Sequence, residues 1–211
     1  MKIDGGNAVQ LLLLLAGLTL VPALIFTTTG FTRILIVLGF VRTGLGTPTA
    51  PPNQVLIGIA FFLTLFVMAP TLKAMKVEAL DPLTAHHIDD KTALERAEEP
   101  LREFMFKQTN DDDLSLFVGL AGIKKPQTRA DVPTWVLIPA FITSELKTAF
   151  QIGFLIFLPF LVIDLVVSST LMSMGMIMLP PAFISLPFKI LLFVLVDGWS
   201  LVMQSTVESF T

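Results

Sequence analysis

The sequence predicts an all-α, membrane-associated fold: about four long apolar helices in hairpins, with an inserted helical extramembrane subdomain. Three observations predict it. The 211 residues are 54% hydrophobic and only 15% charged, with a mean hydropathy of +0.79, far outside soluble-domain norms. Residues 55–72 carry no charge, which is long enough to cross a hydrocarbon core. Residues 73–133 are the opposite regime, holding nine Lys/Arg and twelve Asp/Glu.

Each element follows in order. Residues 5–32 are uncharged, with an apolar core at 9–26. A signal peptide is the competing reading, since Lys2 precedes a Leu run, but Asp4 spoils the basic start and no A-x-A site follows. Thr27-Thr28-Thr29-Gly30 predicts a break. Residues 31–41 are apolar, short and hold Arg33, which suits a hairpin arm. Gly44, Gly46, Pro48, Pro51 and Pro52 make 43–53 a loop. The span 55–72 follows, and Pro70 is expected to end or kink it.

In the charged segment, Asp89 and Asp90 suit the start of a helix. Its apolar positions Ala93, Leu94, Ala97, Leu101, Phe104 and Met105 fall at helical offsets. Asp111–Asp113 are expected to cap a second helix over 114–121. Residues 135–167 predict a long apolar helix, broken or bent near Pro139 and Pro159. Residues 168–185 read as a loop-like hinge centred on Pro180-Pro181, and 186–203 as the last span, with Trp199 at an interface. The organisation is therefore 1–77, N-terminal apolar helices; 78–133, a helical subdomain; and 134–211, C-terminal apolar helices with a Met-rich loop. Lys/Arg bias in the short loops places the subdomain outside the cytoplasm.

Composition and spacing exclude several functions. Net charge is −3, which gives no basis for nucleic-acid binding. Without Cys there are no disulfides, thiolate metal sites or Cys nucleophiles. The adjacent pair His86-His87 cannot share a helix face and has no third ligand. Asp111–Asp113 lack the Gly and terminal Glu of a calcium loop, and Gly39, Gly44 and Gly46 lack the Lys of a phosphate loop. No catalytic residue, cofactor site or metal site is expected.

Seven ionisable residues do stand in or against apolar stretches: Arg33, Arg42, Glu145, Lys147, Asp164, Lys189 and Asp197. Charge at membrane depth is costly and normally faces a bundle interior, a wet cavity or an opposite charge. Glu145 and Lys147 are two residues apart, and Lys189 and Asp197 eight apart, so neither couple pairs within one helix. Each needs a partner on another helix or another subunit; for Glu145 and Lys147 the bland alternative is snorkelling to water. A second cluster is Met172, Met174, Met176 and Met178, at a spacing of two, beside Gly175 and Pro180-Pro181. Met is apolar and adaptable, so a ring of such loops suits a yielding closure, while ordinary packing is the plain alternative.

Several long segments carry a resemblance. They are Phe31-Thr-Arg-Ile-Leu-Ile-Val-Leu38, Pro51-Pro-Asn-Gln-Val-Leu-Ile57, Pro100-Leu-Arg-Glu-Phe-Met105 with Lys107-Gln-Thr109, Ser144-Glu-Leu-Lys-Thr-Ala-Phe-Gln-Ile-Gly-Phe154, and Leu186-Pro-Phe-Lys189 with Asp197-Gly-Trp199. Spread over nearly the whole chain, they resemble the FliP family of the flagellar type III export gate, more than its injectisome relatives. The resemblance implies a non-enzymatic subunit in the bacterial inner membrane and flagellar basal body. It implies five copies joined with FliQ and FliR and other export-apparatus proteins, passing unfolded flagellar substrates outward. It also implies apolar helices that bury against one another above the bilayer plane, which would explain the internal charges. It matches a methionine gasket to Met176-Ile177-Met178, plug-facing aromatics to Phe104 and Phe117, and an inter-subunit ion pair to Glu145 and Lys189. Ile177 stands where family members often have a third Met. The competing function classes are an injectisome-type gate subunit, a secondary ion transporter, which should show repeat symmetry that is not evident here, and an intramembrane hydrolase, for which Asp164 and Asp197 are thin support.

Overall fold

The computed structural model describes residues 19, 22–124, 126–176 and 178–211. Most of the expected first span at 9–26, the signal-peptide alternative and Ile177 lie outside the described residues. All regular structure among the described residues is helical, with two helical runs long and apolar enough to cross a membrane, or up to four if each bent pair counts as one span.

Helix α1 (Pro22–Thr28) meets α2 (Phe31–Leu45) at an 81° bend. The threonines make this break. Thr27, Thr28 and Thr29 donate their hydroxyls back to the carbonyls of Ala23, Leu24 and Ile25, and Thr32 donates to that of Phe26. These bonds satisfy carbonyls that a helix end would orphan. Helix α2 ends on Gly46, which takes the left-handed conformation (φ +75°), with the N–H of Thr47 reaching Arg42 O and that of Gly46 reaching Thr43 O. This is the glycine closure of a Schellman motif.

Helix α3 (Asn53–Met75) continues past Pro70, then through a π turn (Lys76–Leu80) into α4 (Asp81–Thr84), giving a 32-residue helical run. Of the end or kink expected at Pro70, the end does not occur. A proline removes one helical hydrogen bond, and here packing of this run against α5 (Asp90–Gln108) holds the continuation. Helix α5 starts as expected, with the Asp89 carboxylate accepting from Thr92 N at 3.2 Å. Helix α6 (Asp111–Leu120) starts three residues earlier than predicted, and its cap position is Asn110. Its first-turn acids complement the helix dipole, but none caps it through a side chain.

Helix α7 (Thr134–Ser173) is continuous over 40 residues, with Pro139 and Pro159 inside it. The expected break is absent. At 1.5 Å per residue the helix is about 60 Å long, twice a typical hydrocarbon core. It is the spine of the molecule: α5 and α6 pack against it, and so does α2. The hinge expected over 168–185 is correspondingly shorter. The stretch up to Ser173 is helical, with Thr170 and Ser173 donating their hydroxyls to Val166 O and Thr170 O. The stop is Gly175 (φ +75°), whose N–H reaches Met172 O while that of Met176 reaches Leu171 O. This is the same closure as at Gly46.

Helix α8 (Pro181–Leu195) and α9 (Gly198–Glu208) replace the single last span expected over 186–203; they meet at 66°. Asp197 at the junction has φ +51°, a left-handed conformation that no regular helix accommodates. Two apolar cores result. Phe31, Ile34, Val37, Leu38 and Val41 of α2 bury against α3, α7 and α8, and Met68, Phe104, Met105, Leu137 and Phe141 bury around α5 and α7. Phe210 touches both.

Candidate functional site: internal ion pairs and a methionine tip

Five of the seven apolar-segment charges fall into three local networks. Arg33 is 1% exposed and Glu145 is not exposed at all. Arg33 donates from Nε to Glu145 Oε2 at 3.0 Å and from Nη2 to Glu145 Oε1. Its Nη1 donates to Ser209 O (2.6 Å) and Ser209 Oγ (3.1 Å), and Nη2 also to Gln108 Oε1 (2.9 Å). A guanidinium has five N–H donors, and these five bonds engage them all. The Phe210 ring lies 3.9 Å from the guanidinium carbon, and Gln108 Nε2 donates to Phe210 O at 2.9 Å. One arginine thus ties α2, α5, α7 and the segment after α9 into a single node. A buried pair is tolerable only with this completeness of bonding.

Lys189 of α8, also buried, donates to Asp164 Oδ2 of α7 at 2.6 Å, and Ser185 Oγ donates to Asp164 Oδ1 at 2.6 Å. Lys147 donates to Asp113 Oδ1 of α6 at 2.5 Å, and Ser144 Oγ donates to Asp113 Oδ2 at 2.7 Å. Burial alone would raise the Asp113 carboxyl; the bonds from Lys147 and Ser144 outweigh it and hold that group below the ordinary carboxylate range. Among the described residues no buried side-chain nitrogen or oxygen lacks a hydrogen-bond partner.

The charges therefore meet partners on other helices of the same chain. The pairing expected between Glu145 and Lys189 is one between subunits; within the chain Glu145 is engaged by Arg33 and Lys189 by Asp164. Spacing within one helix required each to find a partner on another helix or another subunit, and the fold supplies partners on other helices, 112 and 25 residues away. Arg42 and Asp197 behave differently. Arg42 Nη1 reaches only neutral acceptors, Asn53 Oδ1 at 2.5 Å and Pro51 O at 3.4 Å. The Asp197 carboxylate is exposed and has no hydrogen bond or ion pair among the described residues.

The methionines stand at the far tip of the α7–α8 hairpin. Met172 lies in the last turn of α7, and Met174, Met176 and Met178 lie in the loop; exposure runs from 42% at Met176 to 98% at Met178. Of the residues matched to plug-facing positions, Phe104 is buried in the core around α5 and α7 and Phe117, half-buried, packs against it; Phe104 stacks on Phe210 with centroids 6.3 Å apart. Sequence reasoning missed Gln108, Ser144, Ser185 and Ser209, and read Asp113 as a cap. A polar residue on an apolar helix beside an internal charge, as Ser144 is beside Glu145, was the available signal.

Fold and site together define a class: an all-helical membrane protein whose deepest charges close on one another and whose exposed tip is an apolar methionine loop. Comparison with known proteins narrows it. The family described as the FliP family matches residues 14–206. The chain is 57% identical over 204 residues to the flagellar biosynthetic protein FliP of Bacillus subtilis (strain 168), covering 97% of this chain and 92% of that protein. It is 58% identical over 211 residues to the flagellar biosynthetic protein FliP of Pectobacterium carotovorum subsp. carotovorum, covering 98% and 82%. The flagellar biosynthetic protein FliP of Aquifex aeolicus (strain VF5) is 47% identical over 215 residues, covering 100% and 90%. The chain belongs to the FliP family.

Proposed function

We propose that this chain is a structural subunit of a flagellar type III protein export gate in the bacterial inner membrane. Five copies assemble with FliQ and FliR in the flagellar basal body and pass unfolded flagellar proteins out of the cytoplasm. The subdomain over 78–133 faces the extracytoplasmic side, and Phe104 and Phe117 belong to its core. Family membership supports the flagellar role.

The observation that carries the gate is the methionine tip. Met172, Met174 and Met178 are each at least two-thirds exposed, on the last turn of α7 and the loop after it, with no charged residue there. The Asp164–Lys189 pair holds the two arms of the hairpin together below it. Asp164 is nine residues from the end of α7 and Lys189 eight from the start of α8, about 12–14 Å of helix on either arm. The clamp therefore fixes the arms and leaves the tip free. A ring of such tips closes an axis with thioether stems whose contacts are individually weak, so it parts without breaking charged bonds. An apolar constriction also blocks ions by dewetting.

Replacing Met174, Met176 and Met178 together by Ala tests this. The expected result is a normal amount of assembled complex and a leak of small ions across the membrane. Normal assembly with no ion leak would show that these side chains only pack.

A further inference from the structure

The chain has nine Met and no Cys, so the thioether is its only form of sulfur. Four of the nine stand together at the α7–α8 tip. Met172, Met174, Met176 and Met178 are all exposed, and a shallow cleft lined by Gly175, Met176, Met178 and Leu179 opens two of them further to solvent. Met68 and Met105 are the opposite extreme, at 2% and 0% exposure in the core around α5 and α7. Susceptibility to oxidation follows exposure. One residue type thus stands in two environments of the same chain, and a peroxide dissolved in water reaches only one of them.

Oxidation changes what the tip can do. It turns a flexible apolar side chain into a polar one, with an oxygen that accepts hydrogen bonds. The tip offers that oxygen little. No charged residue lies between Asp164 and Lys189. Thr170 and Ser173, the hydroxyls nearest the tip, already donate to Val166 O and Thr170 O. Burying a polar atom without a donor is unfavourable, so oxidised side chains draw water to themselves. Water is what an apolar constriction has to exclude.

We propose that Met172, Met174, Met176 and Met178 are reversible oxidation sites, and that the sulfoxide form of the tip no longer holds a dry closure. In the forward step a thioether sulfur attacks one oxygen of hydrogen peroxide. The S–O bond forms, the O–O bond breaks and sulfur gives up two electrons. The proton of the transferred hydroxyl leaves with the second oxygen as water. In the reverse step a methionine sulfoxide reductase removes the oxygen as water, while a dithiol is oxidised to a disulfide. Ile177, a hydrocarbon within the same run, takes no part. The modification needs only the exposed tip; its effect on ion flow rests on the reading that the tip closes the export path.

The test uses the full chain in membrane vesicles from cells that make the whole assembly. The vesicles are treated briefly with dilute hydrogen peroxide, and the chain is digested for mass spectrometry. Oxygen uptake at the four tip positions should run at least about tenfold faster than at Met68 and Met105. The same treatment should make the vesicles leak small ions. Methionine sulfoxide reductases of both epimer specificities, supplied on both vesicle faces with a dithiol, should reverse the leak. Replacing all four tip Met by Leu removes the sulfur and keeps the apolar volume, so peroxide should then add no leak. Equal oxidation of tip and buried Met overturns the modification site. A peroxide leak that persists in the Leu variant, or that the reductases do not reverse, overturns the tip as its source. If the tip is oxidised and the vesicles stay tight, the variant with Met174, Met176 and Met178 all changed to Ala separates the two readings. A leak in that variant leaves the closure standing and defeats the oxidation effect alone; a tight variant defeats the closure itself.

Discussion

Phe40 of α2 lays its ring against the bare backbone of Gly153 in α7. A Cβ built at Gly153 would overlap that ring, as one at Gly44 would overlap Phe160. Small residues let apolar helices approach where the solvent gives no hydrophobic drive.

Gly153→Ala should therefore push α2 off α7 and cost about 1–3 kcal/mol, the range for overpacking. Gly58→Ala is the control, since nothing lies within 4 Å of its would-be Cβ. Thermal melting of the detergent-extracted protein checks both: a clear drop for Gly153→Ala and none for Gly58→Ala.

The Arg33 node should be intolerant of change on either side. Removing one partner of a buried pair costs on the order of 3–5 kcal/mol, so Arg33→Ala and Glu145→Ala should each abolish recovery of folded protein. Arg33→Lys should fail nearly as badly, because an ammonium has three donors for the five bonds present. Yield in size-exclusion chromatography reads this out.

Charge swaps should distinguish the actual partners. Exchanging Glu145 and Lys189 should rescue nothing, since each faces a third residue. Exchanging Asp164 and Lys189 should recover part of the folded protein lost in Lys189→Asp alone, because those two touch. Rescue by the first exchange and not the second would contradict the assignment of pairs.

Asp113 predicts an acid-labile joint between the subdomain and α7. Its carboxyl is lowered in the folded protein, so the stability it confers is fully present above the ordinary carboxylate pKa. That contribution is lost as pH falls through the lowered folded value. Asp113→Asn should be less stable than the natural protein at pH 7, and melting curves of the two should converge in acid. A constant gap across pH would show that the charge on Asp113 does not matter.

Helix existence was legible because long uncharged runs and a charged insert leave few alternatives. The break at 27–30 was legible because three consecutive threonines that bond their own backbone are followed there by a glycine. Where prediction failed, a tertiary contact overrode a local signal. Pro70, Pro139 and Pro159 looked like breaks or bends, yet each helix continues past them, since a proline removes only one hydrogen bond from a helix held by neighbours along its length. The bend at Asp197 had a signal in the Asp197-Gly198 dipeptide, a turn former, but the apolar run on either side read as one continuous span. Internal charges were legible as a set, since hydropathy exposes them. Their pairing was not: Arg33 and Glu145 are joined by packing of α2 on α7, which no spacing rule contains.

The Arg33 node also sets an order of events during synthesis. Glu145 follows Arg33 by 112 residues and Ser209 by 176. At about 5–20 residues per second, Arg33 leaves the ribosome roughly 6–22 s before its carboxylate, and its last acceptors come later still. Until then α2 carries a bare cation, which favours the water–lipid boundary over the interior. The helix therefore has reason to wait at the membrane surface, and arrival of the segment around Ser209 and Phe210 is the event that lets the molecule close.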